Sequence, residues 1–190
     1  MKHGDRTSLA PAIGRVAIES AECDDRLRTI LNDLSSLSDG VWLLYEGQPT
    51  EWLISTIEMM VREINPYFNA WPDELNARLI ASLRELKALR DRRNTVIHGT
   101  WEPVTEDLRR LHEGNIKPRP WGVWDQSEEW YCFRSRFRKY DGPHTFSISD
   151  IDILAKRISE SAGGAISAYA AIRRHRYPDI FDATLWGRWA

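Results

Sequence analysis

Between Pro72 and Gly99 the chain carries one unbroken helical pattern, and no other stretch limits its fold as strongly. Leu75, Leu79, Leu83, Leu86, then Leu89 or Arg90, Arg93 and Ile97 recur at three-and-four spacing, which places them on one face of a helix. Pro72 suits the opening of a helix, where the amide proton it lacks would have no partner. Gly99 stands where glycine commonly ends a helix in a left-handed conformation. The pattern therefore predicts a helix over 73–98, with His98 in its last turn and Arg93 on its apolar seam.

Three further stretches keep the same period. From about 9 to 37, Ile13, Val16, Ala17, Cys23, Leu27, Ile30, Leu31, Leu34 and Leu37 line one face. Thr50 is a candidate N-cap for a helix from Glu51 to about Asn65, which Asn65-Pro66 is expected to close. Ser149, with Asp152 three residues on, resembles a capping box, and Ile151, Leu154, Ile158, Ala162, Ala165, Tyr169 and Ile172 carry a last long helix to about Arg174. Gly163-Gly164 within it predicts a close helix crossing or a kink.

Residues 100–147 break the helical period. Trp121 to Trp124, Trp130 to Lys139 and Thr145 to Ile148 read as short strands, joined at Asp125-Gln126-Ser127-Glu128 and Asp141-Gly142-Pro143. In the middle strand Tyr131, Phe133, Ser135 and Phe137 alternate with Cys132, Arg134, Arg136 and Arg138. A small antiparallel sheet is expected, aromatic towards the helices and basic on its other face. The aromatic tail, 178–190, is expected to dock on its own bundle or on a second copy. Six of the nine tryptophans lie beyond residue 100, and such rings need partners, so a packed insertion, an interface, or both are expected.

Lys and Arg total 26 against 28 Asp and Glu, a formal net charge of -2, so any nucleic-acid contact must come from a local patch. Cys23 and Cys132 form neither a disulfide framework nor a metal cluster, and free thiols are expected. The first residues lack the apolar run of a signal peptide, and no stretch is long and apolar enough to span a bilayer, so a cytoplasmic location is expected.

Arg93-Asn94-Thr95-Val96-Ile97-His98-Gly99, at the end of a long helix, resembles the Arg-x4-6-His signature of the HEPN superfamily of small helical domains, many of them metal-independent ribonucleases. The resemblance covers about 9–98 and 149–173. It implies a four-helix HEPN-like bundle; with the small antiparallel β insertion that the pattern at about 100–147 places between the third and fourth long helices, a mainly α single domain over 1–190 is expected. It also implies a homodimer with the motif of each copy lining a cleft, no cofactor and no metal. Its activity would be endoribonuclease cleavage leaving a 2′,3′-cyclic phosphate, often in a toxin or phage-defence effector with an antitoxin or other protein partner. The Trp-rich insertion and the tail depart from the minimal family pattern.

The residue types suit that chemistry. Histidine serves as acid or base near neutral pH, and arginine presents a permanently charged fork that fits phosphate oxygens. His98 is thus the candidate acid or base, Arg93 the phosphate clamp and Asn94 an orienting group. Arg134, Arg136, Arg138 and Lys139, interleaved with aromatics, are candidate RNA-binding residues. Each feature also has a plainer reading: Arg93 in a salt bridge with another helix, His98 as a helix cap, the basic strand as a solvated face. The alternative function is a non-catalytic HEPN-like dimerising module that binds a protein partner or a nucleotide. His3, His112, His144 and His175 have no metal-ligand spacing and are expected at the surface.

Overall fold

The computed structural model of the chain describes residues 6–35, 42–68, 71–117, 121, 129–136, 139–140 and 143–178. The protein is mainly helical with a small three-stranded antiparallel sheet. Four long helices, α1 (Arg6–Ser35), α3 (Thr50–Phe68), α4 (Asp73–His98) and α6 (Ile148–Arg176), are joined by two short ones, α2 (Trp42–Tyr45) and α5 (Glu106–Leu111). The sheet is made of β1 (Thr100–Pro103), β2 (Glu129–Phe133) and β5 (His144–Ser147), with β2 in the middle. β3 (Ser135–Arg136) and β4 (Lys139–Tyr140) pair separately. Among the described residues no helix is long and apolar enough to cross a membrane.

The chain divides into two compact units, each drawing on distant stretches. The first combines residues 1–20 with 91–157, the second 21–90 with 158–190.

In the second unit the expected apolar faces are buried. Leu27, Ile30, Leu31, Leu53, Ile57, Leu79, Leu83, Ile158 and Ala165 are all at most 2 % exposed. Burying a side chain of this kind contributes about 1.5–3 kcal/mol relative to leaving it in water. Gly164 lies against α4, where an added Cβ would stand 2.7 Å from Ser82 Oγ, so the glycine pair does mark a close crossing. Tyr169 donates to Asp33 at 2.5 Å, and Arg173 pairs with the other oxygen of the same carboxylate. Burial, reinforced by the Asp33 charge and hydrogen bond, pushes the Tyr169 phenol well above its ordinary range.

Two expectations fail here. α3 runs through Asn65-Pro66 to Phe68: proline removes a single amide donor, and the helix accommodates it in its last turn. Thr50 does not precede the helix but begins it, with its hydroxyl donating to Asp24 at 2.6 Å. The third and fourth amides of α3, on Trp52 and Leu53, donate to the Pro49 carbonyl.

The first unit is built on β2. Trp130, Tyr131 and Cys132 are buried in succession, so both faces of the strand are covered and the expected basic outer face does not exist there. Tyr131 and Phe133 meet His112, which follows α5, with ring centroids 6.3 and 5.3 Å from the imidazole. His112 is therefore half-buried among aromatics and not a surface residue. Cys132 faces the end of α4, the reverse of the orientation that the alternating pattern suggested. The expected strand from Trp130 to Lys139 is broken into three: β2 ends at Phe133, and Arg134 interrupts the pairing before β3.

The cap of α6 also lies two residues earlier than predicted. The Ser147 amide donates to Asp150 Oδ2 at 2.8 Å and the Asp150 amide donates to Ser147 Oγ at 3.1 Å, a reciprocal box with Asp150 fully buried. Asp152, expected as the partner of Ser149, instead pairs with Arg15 on α1 at 2.5 Å. Residues 122–124 of the first expected strand, the 141–142 turn and the tail from 179 to 190 lie outside the described residues.

Candidate functional site

α4 ends at His98, as the sequence pattern predicts. Its apolar seam does not run through Arg93 and Ile97. Leu79, Leu83, Leu86 and Leu89 are followed by Thr95 and Val96 in the buried set, while Arg93 and Ile97 keep partial exposure. Arg93 is thus not the fully buried arginine that a place on the seam would have made it, and the large cost of burying a guanidinium does not arise in full.

The last turn of a helix leaves carbonyl oxygens without intrahelical donors. Here the insertion supplies the donors. The Cys132 thiol donates to the Thr95 carbonyl at 3.2 Å, and the Trp101 indole donates to the Val96 carbonyl at 3.2 Å. Burial pushes the Cys132 thiol up to about 12, against the opposing pull of the Arg134 charge, so it stays a protonated donor. Gly99 is not in the left-handed region, where among the described glycines only Gly47 and Gly114 are found. Its reason is space: an added Cβ would lie 2.1 Å from Cys132 Sγ and 2.6 Å from the Thr95 carbonyl oxygen. The absence of a side chain lets β2 reach the helix end and lets the chain enter β1 after a single residue.

At this anchored end stand the three candidate residues. Arg93 donates from Nε and Nη2 to Asn94 Oδ1 at 3.2 and 2.9 Å, and both side chains are half-buried. His98 is exposed. On a helix of 3.6 residues per turn, Arg93 and His98 diverge by roughly 140°, whereas Asn94 and His98 differ by only roughly 40°. The bond to Asn94 therefore turns the Arg93 guanidinium towards the face that carries His98. The Arg93 to Asn94 bond was not legible in the motif.

Of the basic strand residues, Arg134 is brought to the same helix end. Its Nη1 donates to the Asp91 carbonyl at 3.3 Å and approaches Thr95 Oγ1 at 3.4 Å. Arg138 and the side chains of Arg136 and Lys139 lie outside the described residues. Two groups not anticipated also gather here. Arg92 and Arg157 place their guanidinium carbons 4.9 and 5.7 Å from the centroid of the half-buried Trp121. Arg92 could have been suspected as the neighbour of Arg93; Trp121 carries no local signal of the position it takes.

No family model, curated protein or solved structure matches the chain.

Proposed function

We propose that the protein is a metal-independent endoribonuclease of HEPN type, with α1, α3, α4 and α6 as its four-helix bundle and a homodimer as its working form. The observation that carries this reading is the Arg93 guanidinium held on Asn94, on the side of α4 where exposed His98 ends the helix. Arg93 holds the non-bridging oxygens of a phosphodiester through its planar fork. A base accepts the proton of the ribose 2′-hydroxyl as that oxygen attacks phosphorus, the bond to the 5′-oxygen breaks, and an acid protonates the departing oxygen. His98 fills one of these two proton-transfer roles, and the matching residue of a second copy is suited to the other. The products are a 2′,3′-cyclic phosphate and a 5′-hydroxyl. Such an activity against the host's own RNA has to be restrained, so a neutralising protein partner belongs to the proposal, as does a role as a toxin or phage-defence effector.

Incubation of the purified protein with total RNA in EDTA tests the reading. Fragments whose 5′ ends accept label from a polynucleotide kinase without prior phosphatase treatment are expected. Intact RNA, or fragments with 5′-phosphates, contradicts the mechanism.

A second reading has one observation in its favour. In the second unit Trp52 and Met59, seven residues apart on one face of α3, are exposed together with Leu44, a surface suited to a non-catalytic dimerising module that binds a protein partner. In that case RNA stays intact and Trp52→Ala weakens self-association.

A further inference from the structure

Beyond the three motif residues, the end of α4 collects further cations. Arg92 and Arg134 are both half-buried, and neither forms a salt bridge with an acid among the described residues. Each is nevertheless held in place. Arg92 lies over the Trp121 ring, a contact that fixes a guanidinium while leaving its N–H edge available. Arg134 is tethered to the backbone of α4 through one terminal nitrogen. Arg157 approaches the same tryptophan, which concentrates like charge around one ring.

Helical geometry sets the order of these groups. Measured around the axis from Asp91, Asn94 lies at roughly -60°, His98 at -20°, Thr95 at +40° and Arg92 at +100°. The Arg93 guanidinium follows Asn94, and Arg134 sits at Asp91 and Thr95. The sequence around the helix is thus Arg93, His98, Arg134, Arg92, within about two turns. The exposed carboxylate of Asp91 is the one acidic side chain on this arc of the helix.

We infer that Arg92, braced on Trp121, and Arg134 form a phosphodiester-binding track that continues from Arg93 and His98 and holds phosphates flanking the one to be cut. The track takes a single strand, because attack by the 2′-oxygen in line with the leaving oxygen requires a sugar-phosphate backbone free of duplex constraint. The RNA identity and the single-strandedness of the ligand rest on the nuclease reading; the phosphate track itself does not.

The test measures binding of a fluorescein-labelled, fully 2′-deoxy single-stranded oligonucleotide, which cannot be cleaved by this route, by anisotropy across a salt series. Arg92→Gln and Arg134→Gln are each expected to raise Kd severalfold and to reduce the slope of log K against log salt by about 0.7, the value for one lost single-strand phosphate contact. Trp121→Leu should shift Kd in the same direction as Arg92→Gln, and Arg134→Lys should restore the slope. Circular dichroism melting checks that each variant is folded. Unchanged Kd and slope in folded Arg92→Gln and Arg134→Gln variants overturns the track, even if RNA is cleaved. Variant-sensitive binding without any cleavage of RNA supports the track and counts against the nuclease reading instead.

Discussion

Gly99 and Cys132 show how much of the site's support rests on two small residues. Adding a methyl group at 99 drives it into Cys132 Sγ and, more seriously, into the Thr95 carbonyl, which belongs to the helix backbone and cannot swing away. Gly99→Ala is expected to lower stability by about 1–3 kcal/mol in urea unfolding. Gly163→Ala meets open space and should be neutral or slightly stabilising. Cys132 makes a pH-dependent contribution. Below the free thiol value of 9.0 both folded and unfolded chains keep the proton, and the contribution is constant. Between 9.0 and about 12 the unfolded chain releases it while the folded chain holds it, so stability falls as pH rises, by at most about 1.4 kcal/mol per pH unit. Unfolding free energies measured at pH 8.5 and 9.5 should differ less in Cys132→Ala than in the wild type. The need for glycine after His98 was legible in the sequence. The reason was not fully legible, because one of the atoms it must avoid, Cys132 Sγ, comes from a strand more than thirty residues away.

At the scale of elements, legibility follows how local the determining interactions are. Both ends of α4 were readable in position, Pro72 because it acts within one turn of the residues it precedes, Gly99 although its expected left-handed cap is not what the structure uses. β1 was not, because Thr100–Pro103 becomes a strand only through its register with Trp130–Phe133, set by distant pairing. The cap of α6 was misplaced by two residues because two Ser-x-x-Asp patterns overlap, and burial decides between them. Ser147 and Asp150 are at 0 % exposure, whereas Ser149 and Asp152 are half-exposed. Ser147→Ala is therefore expected to cost about 1–2 kcal/mol, and Ser149→Ala no more than about 0.5 kcal/mol, in thermal or urea denaturation.

At the scale of the whole molecule, the helical character and the small antiparallel sheet were legible from periodicity, while the faces that the sheet presents were not. Alternation along β2 assumes one wet face, and the strand has none. The proposal of a homodimer rests on the resemblance of the Arg93 to His98 motif to the HEPN signature: in that reading a second copy would supply the acid or base that a single histidine leaves vacant. Sedimentation equilibrium is expected to give twice 22.1 kDa, and a concentration-independent 22.1 kDa would count against the shared site. The central claim is that His98 and Arg93 cut RNA. It is tested most directly by the rate at which wild type, His98→Ala and Arg93→Ala cleave a single-stranded fluorescent RNA in EDTA. Cleavage by the wild type with a loss of roughly 10²-fold or more in each variant is predicted; equal rates for all three proteins, or no cleavage by any, would contradict it.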